Sequence, residues 1–265
     1  MKTKEIQQIS EYVEFIESKF PQTKGHVKGF LISDNMTYEP GADKVRQGLE
    51  SVDIYVKSYS DLLAEARRYN DDLYKMYEDK PGRKMLEIGP GVGVCSLSLK
   101  KMLDIDVTWL TVPDDGPQWN AWRSKSSLNL YKKYDIHIKE AAVETDEFDG
   151  EYDIIFMSQV MEHFIFNPVG TIRKLMTHLK EDGVMFISVP DIIYNNPKNV
   201  ESYKEIPFYE DLSVREAVRR TMINSFTHYH EYSYEEALEV FDECGLQCID
   251  SHTNLPIHHF ILKRK

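Results

Sequence analysis

Ile6, Ile9, Val13, Ile16 and Phe20 recur at steps of three and four, the spacing that lines one face of an α-helix. Pro21 closes the run, because its ring cannot continue a helix. Residues 21–43 are rich in Gly, Pro and polar groups and read as irregular. Tyr55, Tyr59, Leu62, Ala66, Tyr69, Leu73 and Met76 then form a second helical stripe, up to the breaker "KPG" at 80–82. Residues 1–80 therefore read as a mainly helical cap, its tyrosines assigned first to packing. From residue 83 the rhythm changes. "KMLEIG", "VTWLTV", "IHIKEA", "YDIIFMS" and "VMFISVP" read as strands; "VCSLSLKKML", Gln118 to Tyr134 and "VGTIRKLMTHL" read as helices between them. Asn167 is a natural N-cap for the last of these, Pro168 takes the first helical position, and the helix runs before Gly183. Strands alternating with helices imply an α/β domain with a mostly parallel sheet covered on both faces, here residues 81–265.

Residues 191–232 interrupt the alternation with an aromatic, polar insertion. Ser213 and Glu216 have capping-box spacing inside it, and Ser233 and Glu236 form a second box for a helix ending at Gly245. "LQCIDS" and "HHFILKR" follow as two strand-like runs around Asn254 and Pro256, a hairpin at one sheet edge. The chain shows no internal repeat and no low-complexity tract.

"LEIGPGVG" is bounded by a strand and a helix and carries Gly89, Gly91 and Gly93, with Val94 next. A dinucleotide site wants G-x-G-x-x-G, its third glycine letting the helix pack close. Val94 stands where that glycine belongs. Glu87, two residues before Gly89, would repel a pyrophosphate but suits a ligand bearing a cationic amine. S-adenosyl-L-methionine carries an ammonium, a sulfonium and a carboxylate, so Glu87 and the backbone N–H groups of the turn can serve it together.

On these segments the chain resembles the class I S-adenosylmethionine-dependent methyltransferases from about residue 83 onward. "LEIGPGVG" is similar to the family's first motif, "YDIIFMSQVMEHF" to its fourth strand and loop, and "LKEDGVMFISVP" to its fifth-strand segment. "HYHEYSYEEALEVFDECGL" resembles the approach to the last helix in small-molecule members such as the ubiquinone and menaquinone methyltransferases. The resemblance implies a Rossmann-like, seven-stranded sheet with an antiparallel last strand and S-adenosyl-L-methionine as cofactor. It also implies donor contacts from Glu87, Gly89, Gly91 and Gly93 and from Ser158 and Gln159 in the loop after the fourth strand. At two places the chain departs from the family. Where an acidic residue often meets the ribose there is Thr111, with Asp114 and Asp115 just after; the contact falls to Thr111 or to Asp114, and "PDDG" also reads as an ordinary turn. Where an Asp frequently meets the adenine amine there is Ala142, leaving the Val143 backbone and Glu144.

Methyl transfer from a sulfonium is an in-line displacement by an acceptor that the protein must align and keep dry. A hydroxyl acceptor must also lose a proton. His163 follows the fourth strand, at the end where open α/β sheets hold ligands, and neutral imidazole suits that role; an orienting or packing histidine is the alternative. Glu162 can orient His163, contact the donor, or complement a helix start. His228 and His230 are candidates for acceptor contact, for metal ligation, or for solvated and capping roles. His258 and His259 are assigned to structure. Acceptor contacts are also expected from Tyr194, Phe208 and Tyr209 in the insertion.

The chain of 265 residues, 42% hydrophobic and 29% charged, is long enough for one elaborated domain with a sizeable core. A net charge of -12 offers no basic footprint for nucleic acid or anionic lipid. Cys95, Cys244 and Cys248 are too few for a disulfide framework and favour a reducing compartment. The charged N-terminus lacks a signal-peptide core, and no run approaches a membrane span, so a cytoplasmic location is expected. The leading expectation is a methyltransferase acting at an oxygen of a small metabolite or sugar, without a bound metal; the oligomeric state is left open. Alternatives are a non-catalytic S-adenosylmethionine-binding module, a nucleic-acid or protein methyltransferase, and, disfavoured by Val94, a nicotinamide oxidoreductase.

Overall fold

A computed structural model describes residues 76, 77, 79–90, 96, 100, 105–111, 132, 135–191, 202–206, 230–254 and 257–265. The chain divides into two compact units, one of residues 1–83, 91–107 and 117–137, the other of residues 84–90, 108–116 and 138–265. In the first, Tyr77 is buried with the Lys80 ammonium 5.4 Å from its ring centre, and the Asp106 N–H donates to the Arg83 carbonyl. The helices expected over 6–20, over 55–76 apart from Met76, and from Gln118 to Tyr134 apart from the helical Lys132, and the box at Ser213, lie outside the described residues. Ser96 and Lys100, in the expected "VCSLSLKKML" helix, are helical.

The strands are β1 (Lys84–Ile88), β2 (Asp106–Thr111), β3 (His137–Glu140), β4 (Tyr152–Ser158), β5 (Leu179–Pro190), β6 (Leu246–Asn254) and β7 (Ile257–Arg264). They form one seven-stranded sheet in the order β3-β2-β1-β4-β5-β7-β6. β1 pairs with β4 and β4 with β5 in parallel, while β7 runs antiparallel to both β5 and β6. The expected hairpin is therefore present, with β7 seated inside the sheet and β6 on its edge. β4 is buried along all but its last residue, as a strand covered on both faces requires.

Helix α1 (Pro168–Thr177) begins as expected: the Asn167 side chain accepts the Val169 N–H at 3.0 Å and Pro168 opens the first turn. Val169, Ile172 and Leu175 repeat at three-residue steps and pack into the core with Ile155, Met157, Met185 and Ile187. Helix α2 (Tyr234–Glu243) is capped by Ser233, which accepts the Glu236 N–H at 3.1 Å, and buries Ala237, Val240 and Phe241. Gly245 ends it at φ +82, its N–H on the Asp242 carbonyl.

Gly183 falls past the end of the helix, within β5. α1 ends at Thr177, where the Arg264 guanidinium takes the Met176 carbonyl and donates to the Leu179 carbonyl at 2.7 Å. Leu179 already pairs with Tyr152, and the register then shifts so that Ile154 faces Val184. Residues 180–183 lie in that irregularity. A Cβ on Gly183 would sit 2.7 Å from Leu179 Cδ1 and 3.0 Å from the Asp153 carbonyl oxygen. The glycine answers a close approach inside a bulge.

Candidate active site

The carboxyl ends of β1, β2, β3 and β4 bring the described candidates to one edge of the sheet, the edge where open α/β folds bind ligands. Glu87 is the penultimate residue of β1, only 4% exposed and level with Phe156 of β4. A carboxylate so far from water needs donors or a cation. The chain turns at once: Gly89 takes φ +60 and its N–H donates to the Leu110 carbonyl at 3.0 Å. A Cβ there would meet Val160 Cγ2 at 2.9 Å, so both the backbone angle and the neighbour demand glycine. Gly91, Gly93 and Asp114 lie outside the described residues, as do Tyr194, Phe208, Tyr209 and His228.

Thr111 closes β2 half-buried, its carbonyl accepting the Ala141 N–H at 2.8 Å. The loop after β3 is built around Asp146, whose carboxylate accepts the Ala142 N–H at 2.8 Å and the Thr145 hydroxyl at 2.9 Å. Val143 is buried in that loop, and Glu144 reaches across to accept the Phe166 N–H at 3.0 Å. Ser158 ends β4 with its hydroxyl 3.3 Å from that of Ser188. Gln159 then adopts φ +50 while its N–H donates to the Ser188 carbonyl. A left-handed non-glycine residue costs about 1–2 kcal/mol, here set at the lip of the sheet.

Met161–His163 form a single 3-10 turn that divides the Glu-His pair between inside and outside. Glu162 is fully buried, while the His163 side chain keeps 22% of its surface. His163 Nε2 and Glu162 Oε1 lie 3.9 Å apart. The base candidate is thus partly accessible, with a buried carboxylate close by.

His230 is buried rather than solvated: its N–H donates to the Glu162 carbonyl at 3.3 Å, and its Nε2 stands 2.9 Å from Glu236 Oε2. Its ring meets that of Tyr232 edge-on at 4.7 Å. Burial pushes the Tyr232 hydroxyl well above its ordinary range, and Glu162, Glu236 and Glu144 add to the shift. Tyr232 also bridges to Asp191, joining the two ends of the 191–232 insertion. Asp191 in turn lies 2.9 Å from His258 Nε2, and His258 Nδ1 bonds the Thr253 hydroxyl at 2.8 Å. The sequence assigns His258 to structure and carries no signal for Asp191, Tyr232 or Asp146, whose parts depend on contacts between distant segments. Glu236 was legible only as a capping residue. Among the described residues no cluster of His, Cys, Asp and Glu could hold a metal ion. Burial raises the Cys244 thiol to about 12, and its Sγ lies 3.7 Å from the Val169 carbonyl oxygen.

A buried carboxylate at the end of β1, followed by a turn in which even a Cβ would collide, leaves bare backbone beside an acid. That donor set fits an amino-acid-bearing sulfonium nucleoside. The sheet order with its reversed β7 is that of a Rossmann-like α/β fold, and the family match makes it a methyltransferase whose cofactor is S-adenosyl-L-methionine. The chain belongs to the family described as "Methyltransferase domain", which it matches over residues 62–251.

Among solved structures it is similar to magnesium protoporphyrin IX methyltransferase from Synechocystis with bound S-adenosylhomocysteine, at 12% identity and TM-score 0.50, covering 79% of this chain and 88% of that one. It is also similar to an O-methyltransferase family 2 protein from Planctomyces limnophilus in complex with apigenin, at 17% identity and TM-score 0.52, covering 88% and 63%. Mitomycin 7-O-methyltransferase matches at 13% identity and TM-score 0.51, covering 95% and 67%. At these identities the likeness is one of fold. No curated protein is significantly similar in sequence. Among the described residues no helix is long and apolar enough to cross a membrane.

Proposed function

We propose that this protein methylates a hydroxyl oxygen of a small-molecule acceptor, a metabolite or sugar, with His163 as general base. The observation that carries the reading is the division within the 3-10 turn, where His163 stays open at the carboxyl end of β4 while Glu162 is buried behind it. S-adenosyl-L-methionine, when bound, supplies a methyl group on a positively charged sulfur. Glu87, Gly89, Gly91 and Gly93 hold its amino-acid end, Thr111 or Asp114 the ribose, Val143 and Glu144 the adenine, and Ser158 and Gln159 line the lip. The neutral His163 imidazole accepts the acceptor's proton, and Glu162 stabilises the imidazolium that results. The 1–80 cap and the 191–232 insertion, with Tyr194, Phe208, Tyr209 and His228, supply acceptor specificity. The O-methyltransferases among the similar folds agree with this reading.

Isothermal titration with S-adenosylhomocysteine and transfer of labelled methyl from the donor into a cell extract test it. His163→Ala is expected to lower transfer by about 10² or more with the titrated affinity unchanged. Glu87→Ala is expected to weaken S-adenosylhomocysteine by about tenfold or more. Tight binding without label transfer to any extract component would favour a binding module instead, and full activity of His163→Ala would remove that residue from the mechanism.

A further inference from the structure

We propose that Glu236 is a positioning residue for the turn that carries His163: through His230 it fixes the Glu162 backbone, and through Tyr203 it ties the same point to the first half of the 191–232 insertion. The inference rests on the assignment of His163 above and extends it to a residue whose sequence signal was only a helix cap.

The wiring is direct. Glu236 Oε1 accepts the Tyr203 N–H at 2.8 Å, and Glu236 Oε2 meets His230 Nε2 at 2.9 Å. The His230 backbone N–H donates to the Glu162 carbonyl at 3.3 Å, one residue from His163. Tyr203 is clamped on its other sides, its carbonyl accepting from Asn167 Nδ2 at 3.1 Å and its hydroxyl donating to Glu243 Oε2 at 3.0 Å. The carboxylate of Glu236 therefore joins α2, the insertion and the base-bearing turn. A capping bond alone would need none of this, since Ser233 already takes the Glu236 N–H.

The bond to a carboxylate also sets the state of the His230 ring. A carboxylate only accepts, so Nε2 carries the proton. Nδ1 is buried and has no hydrogen-bond partner among the described residues, which suits a bare lone pair better than a second N–H. His230 is then the neutral Nε2–H tautomer. Replacing Glu236 by Gln keeps an oxygen for the Tyr203 N–H but can set an amide N–H against the His230 ring Nε2–H, so it cuts the His230 arm selectively.

The test is carried out on the full chain, labelled with ¹⁵N, by ring ¹H–¹⁵N correlation spectra across a pH titration, with His163 identified by the signal lost in His163→Ala. In the wild type the His230 ring is expected to be protonated at Nε2 alone near neutral pH; the opposite tautomer overturns the proposal whatever the variants do. In Glu236→Gln the titration midpoint of His163 is expected to move by about half a pH unit or more, because its distance to Glu162 changes. Transfer of labelled methyl to a cell extract is expected to fall by about tenfold or more, while S-adenosylhomocysteine affinity stays within about twofold. An unmoved His163 midpoint in folded Glu236→Gln and Glu236→Ala refutes the positioning role. So does parallel loss of thermal stability, S-adenosylhomocysteine binding and transfer, which marks a brace for the fold. A His163 midpoint that shifts in the variants, when the wild type itself transfers no label, refutes the proposed reaction and leaves the linkage standing.

Discussion

At the scale of single residues, two glycines with left-handed backbones separate two reasons for being glycine. Gly245 at φ +82 has nothing within 4 Å of where a Cβ would stand, so Gly245→Ala loses only backbone comfort, about 1 kcal/mol. Gly89 at φ +60 has Val160 Cγ2 at 2.9 Å, so Gly89→Ala adds a collision and is expected to cost about 2–4 kcal/mol. Urea unfolding of both variants, and of Gly89→Ala with Val160→Ala, measures the difference; the second substitution should recover part of the excess. Equal losses at the two positions would show that the valine yields freely. The sequence displayed Gly89 as part of a motif, but the residue that enforces it lies seventy-one positions away (160 − 89) and belongs to the loop before the Glu-His turn. Motif spacing records a need without recording who imposes it.

At the scale of elements, the strands and both described helices were legible because their signals are local: runs of apolar residues, Asn167 before Pro168, Ser233 three residues before Glu236, Gly245 after the last turn. Gly183 falls after the helix, as expected, but the helical pattern gives no reason for it to be glycine. Its reason is the side chain of Leu179 and the backbone of Asp153, which no periodicity reveals. Long-range bonds also distinguish two caps that look alike in sequence. Asn167 caps α1 through its oxygen and uses its amide nitrogen on the Tyr203 and Ile206 carbonyls. Ser233 supplies α2 with its cap bond. Ser233→Ala is expected to cost about 1 kcal/mol, and Asn167→Ala about twice that, because it also strands carbonyls near the insertion. Chemical denaturation of the two variants side by side checks the order, and an Asn167→Ala loss no larger than that of Ser233→Ala would mean the bridging bonds contribute nothing.

At the scale of the whole molecule, stability should depend on pH through His258, which joins β7 to Asp191 at the base of the insertion. Burial lowers the proton affinity of this ring, while Asp191 and Glu235 oppose the shift without overcoming it. The unfolded ring titrates near the ordinary histidine value of about 6.5. Below that value the unfolded chain takes up a proton that the folded protein resists, so the contribution is complete above about pH 6.5 and is lost as pH falls toward the folded value. Unfolding free energies measured at pH 7.5 and 5.5 should therefore drop on acidification, and His258→Asn should flatten that slope. An identical slope in the variant would assign the acid sensitivity elsewhere. The seat of β7 between β5 and β6 has a further effect on how the protein is made. β5, apolar along most of its length, receives its second neighbour only after the insertion, α2 and β6 have all been laid down. Until then it is a greasy open margin, and refolding yield should fall as protein concentration rises.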